Sequence, residues 1–447
     1  MKKLFYSCTI LLVAAMAAWT MTSCTNDLDR QAESDAPFAF QSTSADAYDD
    51  AAAKPVVTVS GTISSGNNHW TNSNVYALSG VVVVPNGVTL TIDAGTFIKA
   101  VPLGEDIASG VLVVTQGGQI NAVGTSTNPI VFTSYNLLDN NASTTACPGD
   151  FGGVILLGRA PVNNPGGFGY IEGLDEIPLF QYGGTLPNDN SGIMQYVRIE
   201  YAGYELDTDI EVNGLTMGGV GNGTTLDHIQ VSWGLDDSFE WFGGTVNASY
   251  LISYACDDDN FDFDNGYVGT IRYALALANP ASTHSQSGGS PDSNGIELDN
   301  NAPVQDATFS LTPKTHPVLN NVTIVGTSTV DNGYRYGARI RRGGEITLQN
   351  SIITGYPSGF VVDADANKAL SSFTNCAFHG FTAAFSPLPL PSGITTSTSS
   401  PAATFGMINP FYPTNNFANA AANRGAFPAG QTTWHNGWSY FRAQECN

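Results

Sequence analysis

The stretch FEWFGG, residues 239 to 244, returns 22 residues later as FDFDNG, residues 261 to 266, and the same offset lays Asp236 and Asp237 on Asp258 and Asp259. An offset near twenty residues, with one strand in each unit, is the period of a coil of parallel strands in which every turn stacks on the one before. The register extends through LTM (215 to 217), FEW (239 to 241), FDF (261 to 263), IEL (296 to 298), ARI (338 to 340) and FVV (360 to 362). Side chains alternate along a strand, so the outer two residues of each triplet share a face. That predicts a core lined by Leu215, Phe239, Phe261, Ile296, Ala338 and Phe360, and by Met217, Trp241, Phe263, Leu298, Ile340 and Val362. Long gaps between triplets are loops that a coil can extrude without disturbing the stack.

A second column supports the same architecture. NVTIVGT, NSIITGY and NCAFHGF place Asn321, Asn350 and Asn375 five residues before Gly326, Gly355 and Gly380. Stacked asparagines can hydrogen-bond amide to amide along the coil axis, which is a structural role. Dividing chain length by the offset predicts about fifteen turns.

Composition agrees with an all-β parallel solenoid. Only 12% of the 447 residues are charged while 48 are glycine, and helical periodicity is missing beyond the first segment. A formal net charge of -23 argues against nucleic acid or an anionic lipid surface as partner, because both are bound by clusters of Lys and Arg. No phosphate loop, HExxH or GxSxG pattern is present.

Lys2 and Lys3, the apolar run LFYSCTILLVAAMAAW and the sequence MTSC read as an export signal over residues 1–23, with MTSC resembling a bacterial lipobox in which Cys24 carries the lipid. Residues 24–54, rich in Ala, Ser, Asp and Thr, read as a flexible tether. Residues 55–441 are the β-helix domain and 442–447 a tail. Four cysteines remain, Cys147, Cys256, Cys376 and Cys446, and the exported compartment permits bridges among them in three pairings that sequence leaves open, with buried free thiols as the alternative.

TLTIDAGTFIKA, FGGVILLGRAPVN, DNSGIMQYVRIEYAG and the terminal RGAFPAGQTTWHNGWSYF, taken in this order, resemble the right-handed parallel β-helix lipoproteins of Bacteroidota, which are related in fold to pectin-lyase-like proteins. The resemblance implies the fold and an envelope location, and brings no reaction with it. The acidic residues of TNDLDR behind Cys24 resemble the surface-export signal of such lipoproteins, which points to the outer face of the outer membrane, with the periplasmic face as the alternative.

The middle residues of the triplets point away from the core and give Thr216, Glu240, Asp262, Glu297, Arg339 and Val361; two residues on come Gly218, Phe242, Asp264, Asp299, Arg341 and Asp363. Neighbouring turns lie about 4.8 Å apart, so stacked carboxylates repel by roughly 1 kcal/mol per pair even in water. Three readings stay open: a solvated or arginine-paired face, calcium held between turns by Glu240, Asp262, Asp264, Glu297 and Asp299, or a catalytic wall. Polysaccharide lyases with this kind of fold combine acids that hold calcium with a basic residue beside a uronate. By that resemblance Arg339, Arg341 and Glu297 are the catalytic candidates on an acidic polysaccharide, and a glycoside hydrolase using two of the carboxylates is a further possibility. The other reading is a surface module that binds a glycan or host surface.

Solenoids need capped ends. TTWHNGWSYF (432 to 441) and NHWTNSNVYAL (68 to 78) are read as caps, and the faces of Trp434 and Trp438 as a platform on which sugar rings could stack.

Overall fold

The computed structural model describes residues 45–102, 110–203, 205–207, 210–280, 284–287, 289–327, 329–399, 424–428, 434–442 and 446. The signal segment, Cys24 and most of the expected tether lie outside them.

Three columns of parallel strand pairing wrap one hydrophobic core, which is how parallel strands reach each other when the crossover is a turn of the coil itself. One column carries the triplets. Leu215 pairs with Phe239, Phe239 with Phe261 and Phe261 with Ile296; Glu297 then pairs with Arg339 and Ala338 with Phe360, all in the expected register. All twelve residues of the two expected core rows are buried. Their aromatic members stack from rung to rung, Phe239 on Phe261 at 5.7 Å and Trp241 on Phe263 at 4.8 Å between ring centroids. Each such ring removes 150–250 Å² from water.

Among the described residues ten successive pairings join eleven strands in this column, from Gly61–Thr62 to Phe385–Ser386. The expectation of fifteen turns fails because 22 residues is near the smallest step the coil takes. Val154 pairs with Leu215, a step of 61 residues, and the chain between them leaves the coil.

The other two columns meet at a sharp corner inside the longer strands. Tyr196, His228, Tyr250, Tyr273, Asn321, Asn350 and Asn375 occupy this corner one above another, with φ between 48° and 60°. Left-handed backbone disfavours most side chains, and asparagine tolerates it. The asparagine column is therefore a corner column first. Asn375 Nδ2 donates to Asn350 Oδ1 at 2.8 Å, whereas Asn321 Nδ2 donates to the Gly425 carbonyl. Further up, the rings of Tyr196, His228, Tyr250 and Tyr273 stack at centroid separations of 4.4, 4.3 and 5.0 Å.

Two expected boundaries are corrected. Residues Ala45–Ala52, assigned to the tether, form a helix that buries Tyr48 and Ala51 against Val75, Phe97, Val131 and Leu138. The tail is tied down as well, because Cys446 is bridged to Cys147 across 299 residues of chain. Cys256 and Cys376 are free and buried.

The segment expected to cap the end of the coil lies along its flank instead. Ala426 N donates to Thr323 Oγ1, Tyr440 N donates to Gln230 Oε1 and Arg198 Nη1 donates to the Trp438 carbonyl, so the segment crosses several rungs. Beneath it sit Trp233, Ile252, Leu275 and Val325, an apolar outer face that it covers. Arg198 and Glu200, both buried, pair at 3.0 Å under this cover, and the Tyr48 hydroxyl donates to the Glu200 carboxylate. Trp70 and Tyr76 stack at 4.9 Å within the first turns of the core.

Candidate functional site

The outward column runs Thr216, Glu240, Asp262, Glu297, Arg339, Val361, as the alternation requires. It is not a wet face. Thr216 is 0% exposed, Glu297 6% and Asp299 5%, and Glu240, Asp262 and Asp264 are half-buried. The cover comes from the long excursions between rungs. Tyr182 of the 158–190 excursion packs on Phe242 and over Gly218, where a Cβ would sit 2.6 Å from its ring. Asn163 of the same excursion donates to the Asn300 carbonyl at 2.7 Å and to that of Pro313 at 3.1 Å, joining the two loops that flank the column. The result is a roofed acidic trough.

Its other wall is a ladder in the turns before four successive strands. Asn213, Asp237, Asp259 and Asn294 each stand two residues ahead of the inward residue that starts a rung. Asn213 Oδ1 accepts the N–H of Asp237 at 3.2 Å, Asp237 Oδ1 that of Asp259 at 2.8 Å, Asp259 Oδ1 that of Asn294 at 2.8 Å, and Asn294 Oδ1 that of Tyr336 at 3.1 Å. The first three bonds satisfy buried turn amides, and the fourth takes the amide of Tyr336 at the start of its strand. The role of Asp237 and Asp259 was missed in the sequence, although the 22-residue offset had already aligned them; the missing signal was the recurrence of Asn or Asp two positions before four successive inward starts.

The arginines are committed. Arg341 contacts Glu297 through Nη1 and donates through Nε to Asp299 Oδ1 at 2.7 Å, and Arg342 Nη1 meets Asp299 Oδ2 at 2.7 Å. Arg339 Nη2 pairs with Asp363 at 2.9 Å, and Arg335 Nη1 with Asp292 at 2.8 Å. Burial lowers the Arg341 guanidinium's hold on its proton, but the Glu297 and Asp299 carboxylates beside it more than offset this, so its pKa is raised. Such a group is poorly placed to take a proton.

Of the five expected metal ligands, Glu297 and Asp299 are therefore taken up by arginine. Glu240 and Asp262 remain, and the structure brings Asp237 to them: the carboxylate oxygens of Asp237, Glu240 and Asp262 lie within 4.8 Å of one another, as do those of Asp236, Asp237 and Asp258. Asp264 lies one step along the same strand, outside both groups. Burial, reinforced by the neighbouring carboxylates, holds Glu240, Asp262 and Asp237 well above the usual carboxylate range. Asp264 is pushed up to about 7 by burial and then by Asp299, and Glu297 to about 7 by burial against the pull of Arg341. Several acceptor oxygens around the trough are buried without a hydrogen-bond partner: Asn163 Oδ1, Asn164 Oδ1, Asp262 Oδ1 and Thr216 Oγ1.

The aromatic candidates lie elsewhere. Trp438 is fully buried and donates through Nε1 to the Trp434 carbonyl, so its face is closed to a sugar ring; Trp434 is half-buried against Phe427 and Tyr250. Both belong to the flank cover.

No curated protein and no solved structure matches the chain. One family model does, that of the pectate-lyase-like β-helix domain, over residues 61–439. The match takes in every rung of the triplet column and the flank cover up to Ser439, so the chain belongs to the pectate-lyase-like β-helix family.

Proposed function

We propose that the protein is a lipid-anchored envelope module, attached through Cys24 and displayed on the outer membrane surface, that binds a hydroxyl-rich glycan along the acidic trough. The observation that supports this reading is the excess of acceptors over donors there: Asn163, Asn164 and Asp262 each present a buried oxygen without a partner, while Arg335, Arg339, Arg341 and Arg342 are all spent on carboxylates. Sugar hydroxyls are donors, and unpaired buried acceptors favour a ligand that supplies them. The trough is lined by carboxyl groups and its guanidiniums are all engaged, so the ligand class is a neutral or amino-bearing glycan.

The rival is a lyase or glycoside hydrolase acting on an acidic polysaccharide, with Arg339, Arg341 and Glu297 at the reaction. Locked guanidiniums and the crowding of carboxyl groups both oppose it. The test is affinity electrophoresis of the soluble chain from residue 25 onward on neutral, amino-bearing and uronate glycans, with ultraviolet absorbance followed for unsaturated products. Retention on a neutral or amino-bearing glycan without product supports the module; release of unsaturated uronate that is lost in Arg339→Ala or Arg341→Ala would replace it with the lyase.

A further inference from the structure

The coil has two uncharged poles in a chain of net charge -23. No Asp, Glu, Lys or Arg occurs from residue 55 to residue 92 or from residue 369 to residue 423, so the charge of the coil is carried by the rungs between. At the proximal pole the first strand, Val56–Thr62, pairs on one side with Val75–Val84, and no strand meets its outer edge among the described residues. The Val75 N–H donates to the Pro55 carbonyl, and in a parallel ladder alternate residues turn their main-chain groups to the same neighbour. Val57 and Val59 therefore bond inward along the coil, and Val56, Thr58 and Ser60 present N–H and C=O to the outside. Val57 begins the inward row that continues through Tyr76, Ile98 and Phe132, yet it is 39% exposed where those are buried, and Val56 is 52% exposed. The edge ends at Ser60, where the register shifts before Gly61 at φ 62°. An uncharged edge of this kind is a template for another strand.

The distal pole differs. The last strand, Ile394–Ser397, ends the same column that the first strand begins, but it has four residues, and the turn leading into it carries Pro387, Pro389 and Pro391. Short strands and prolines are how edges are blunted.

We infer that two copies of this chain join through their proximal poles, the first strands pairing antiparallel about a two-fold axis at Thr58. Residues 56–60 are self-complementary about that centre. Thr58 meets Thr58 of the second copy and Val56 meets Ser60, so the outward residues of both chains exchange about six main-chain hydrogen bonds. Val57 of each copy then lies opposite Val59 of the other, which carries the inward row across the axis and takes its exposed start out of water. Charge selects this pole, because two chains of one sign repel wherever their acids face each other, and least where no charge lies. A two-fold contact uses both edges and leaves none for a third copy, so the assembly closes at two. The inference goes beyond the glycan reading and holds with or without it.

The test is analytical ultracentrifugation of the soluble chain from residue 25 onward over a dilution series. The wild type should pass from dimer to monomer on dilution. Thr58→Lys sets two like charges against each other at the axis and should raise the dissociation constant at least about tenfold. Thr58→Pro removes an outward N–H that the inner ladder does not use and should act in the same direction. Thr395→Lys, on the exposed distal strand, should change the constant by less than about twofold. Should Thr58→Pro fail to fold, Thr58→Lys carries the comparison. Facing residues of such a pair have Cα atoms about 5.5 Å apart, within reach of a bridge, so Thr58→Cys should give a disulfide-linked dimer on oxidation, Cys256 and Cys376 being buried. A wild type that stays monomeric at every soluble concentration overturns the inference and leaves the edge to residues 25–44 or to another protein. Association that Thr395→Lys abolishes and Thr58→Lys spares overturns it as well, in favour of copies stacked head to tail.

Discussion

Arg341 Nε donates to Asp299 Oδ1 at 2.7 Å while its Nη1 contacts Glu297, so one guanidinium holds two carboxylates that the strand register places one rung away. Both acids are nearly inaccessible, and removing the cation strands Glu297 and leaves Asp299 with Arg342 alone. Arg341→Met should cost roughly 3–5 kcal/mol, the range for breaking one side of a buried ion pair. Adding Glu297→Gln and Asp299→Asn should restore a large part of it. Denaturant unfolding of the single and triple variants measures both steps, and a single variant as stable as wild type would show that the trough is wetter than the structure indicates.

His435 makes the flank cover sensitive to acid. Burial pushes its pKa from 6.5 down to about 4. Below pH 6.5 the unfolded chain takes up a proton that the folded chain refuses, so this residue's contribution to stability falls as pH drops from 6.5 to 4 and is constant beneath that. The full change is about 3 kcal/mol. Asp264 and Glu297, raised to about 7, work in the opposite direction, because the folded state binds their protons first. The readout is therefore a difference: His435→Gln should be less destabilised than wild type by acidification from pH 7 to pH 4. Identical pH profiles would count against the buried neutral imidazole.

The Cys147–Cys446 bridge closes a loop of 299 residues of sequence separation. A loop that long confines the unfolded chain strongly, and Cys446→Ala should lower stability by up to about 5 kcal/mol. Partial proteolysis should show the first cuts within the flank segment while the coil stays intact. Uniform digestion of coil and flank together would mean that the two unfold as one unit.

At the corner, Asn350 adopts a φ of 48° and bonds both to Asn320 and from Asn375. Asn350→Ala loses the bonds and keeps the strained backbone, for an expected loss of about 2 kcal/mol. Asn350→Gly loses the same bonds but relieves the backbone, so it should be the more stable of the two. Thermal melting that ranks alanine above glycine would refute the corner as the reason for asparagine.

The triplet register was legible because alternation and the 22-residue offset are local facts: the pairing of Phe239 with Phe261, or Glu297 with Arg339, needs only a count along the chain. The roof was not. Asn163 meets Asn300 from 137 residues away and Tyr48 reaches Glu200 across 152, through excursions that carry no period. For the same reason a solvated face stayed among the open readings: Glu240 and Asp262 were placed on the outward side of the strand, but what covers that side is written elsewhere in the chain. Asp237 was overlooked because it lies in a turn, where alternation says nothing.

Because the helix at residues 45–52 rests on the same buried cluster as Tyr440 and Arg442, an early part of the chain waits for a late one. Rungs can assemble in the order of synthesis, each templating the next, as stacked repeats do. The outer apolar face of Trp233, Ile252 and Leu275 stays bare until Ala426, Phe427, Trp434 and Trp438 arrive. Biogenesis of this protein thus has a vulnerable interval between a finished coil and a fastened one, and a chain shortened from its distal side would remain in that interval, with a sticky flank that a simple row of repeats would never expose.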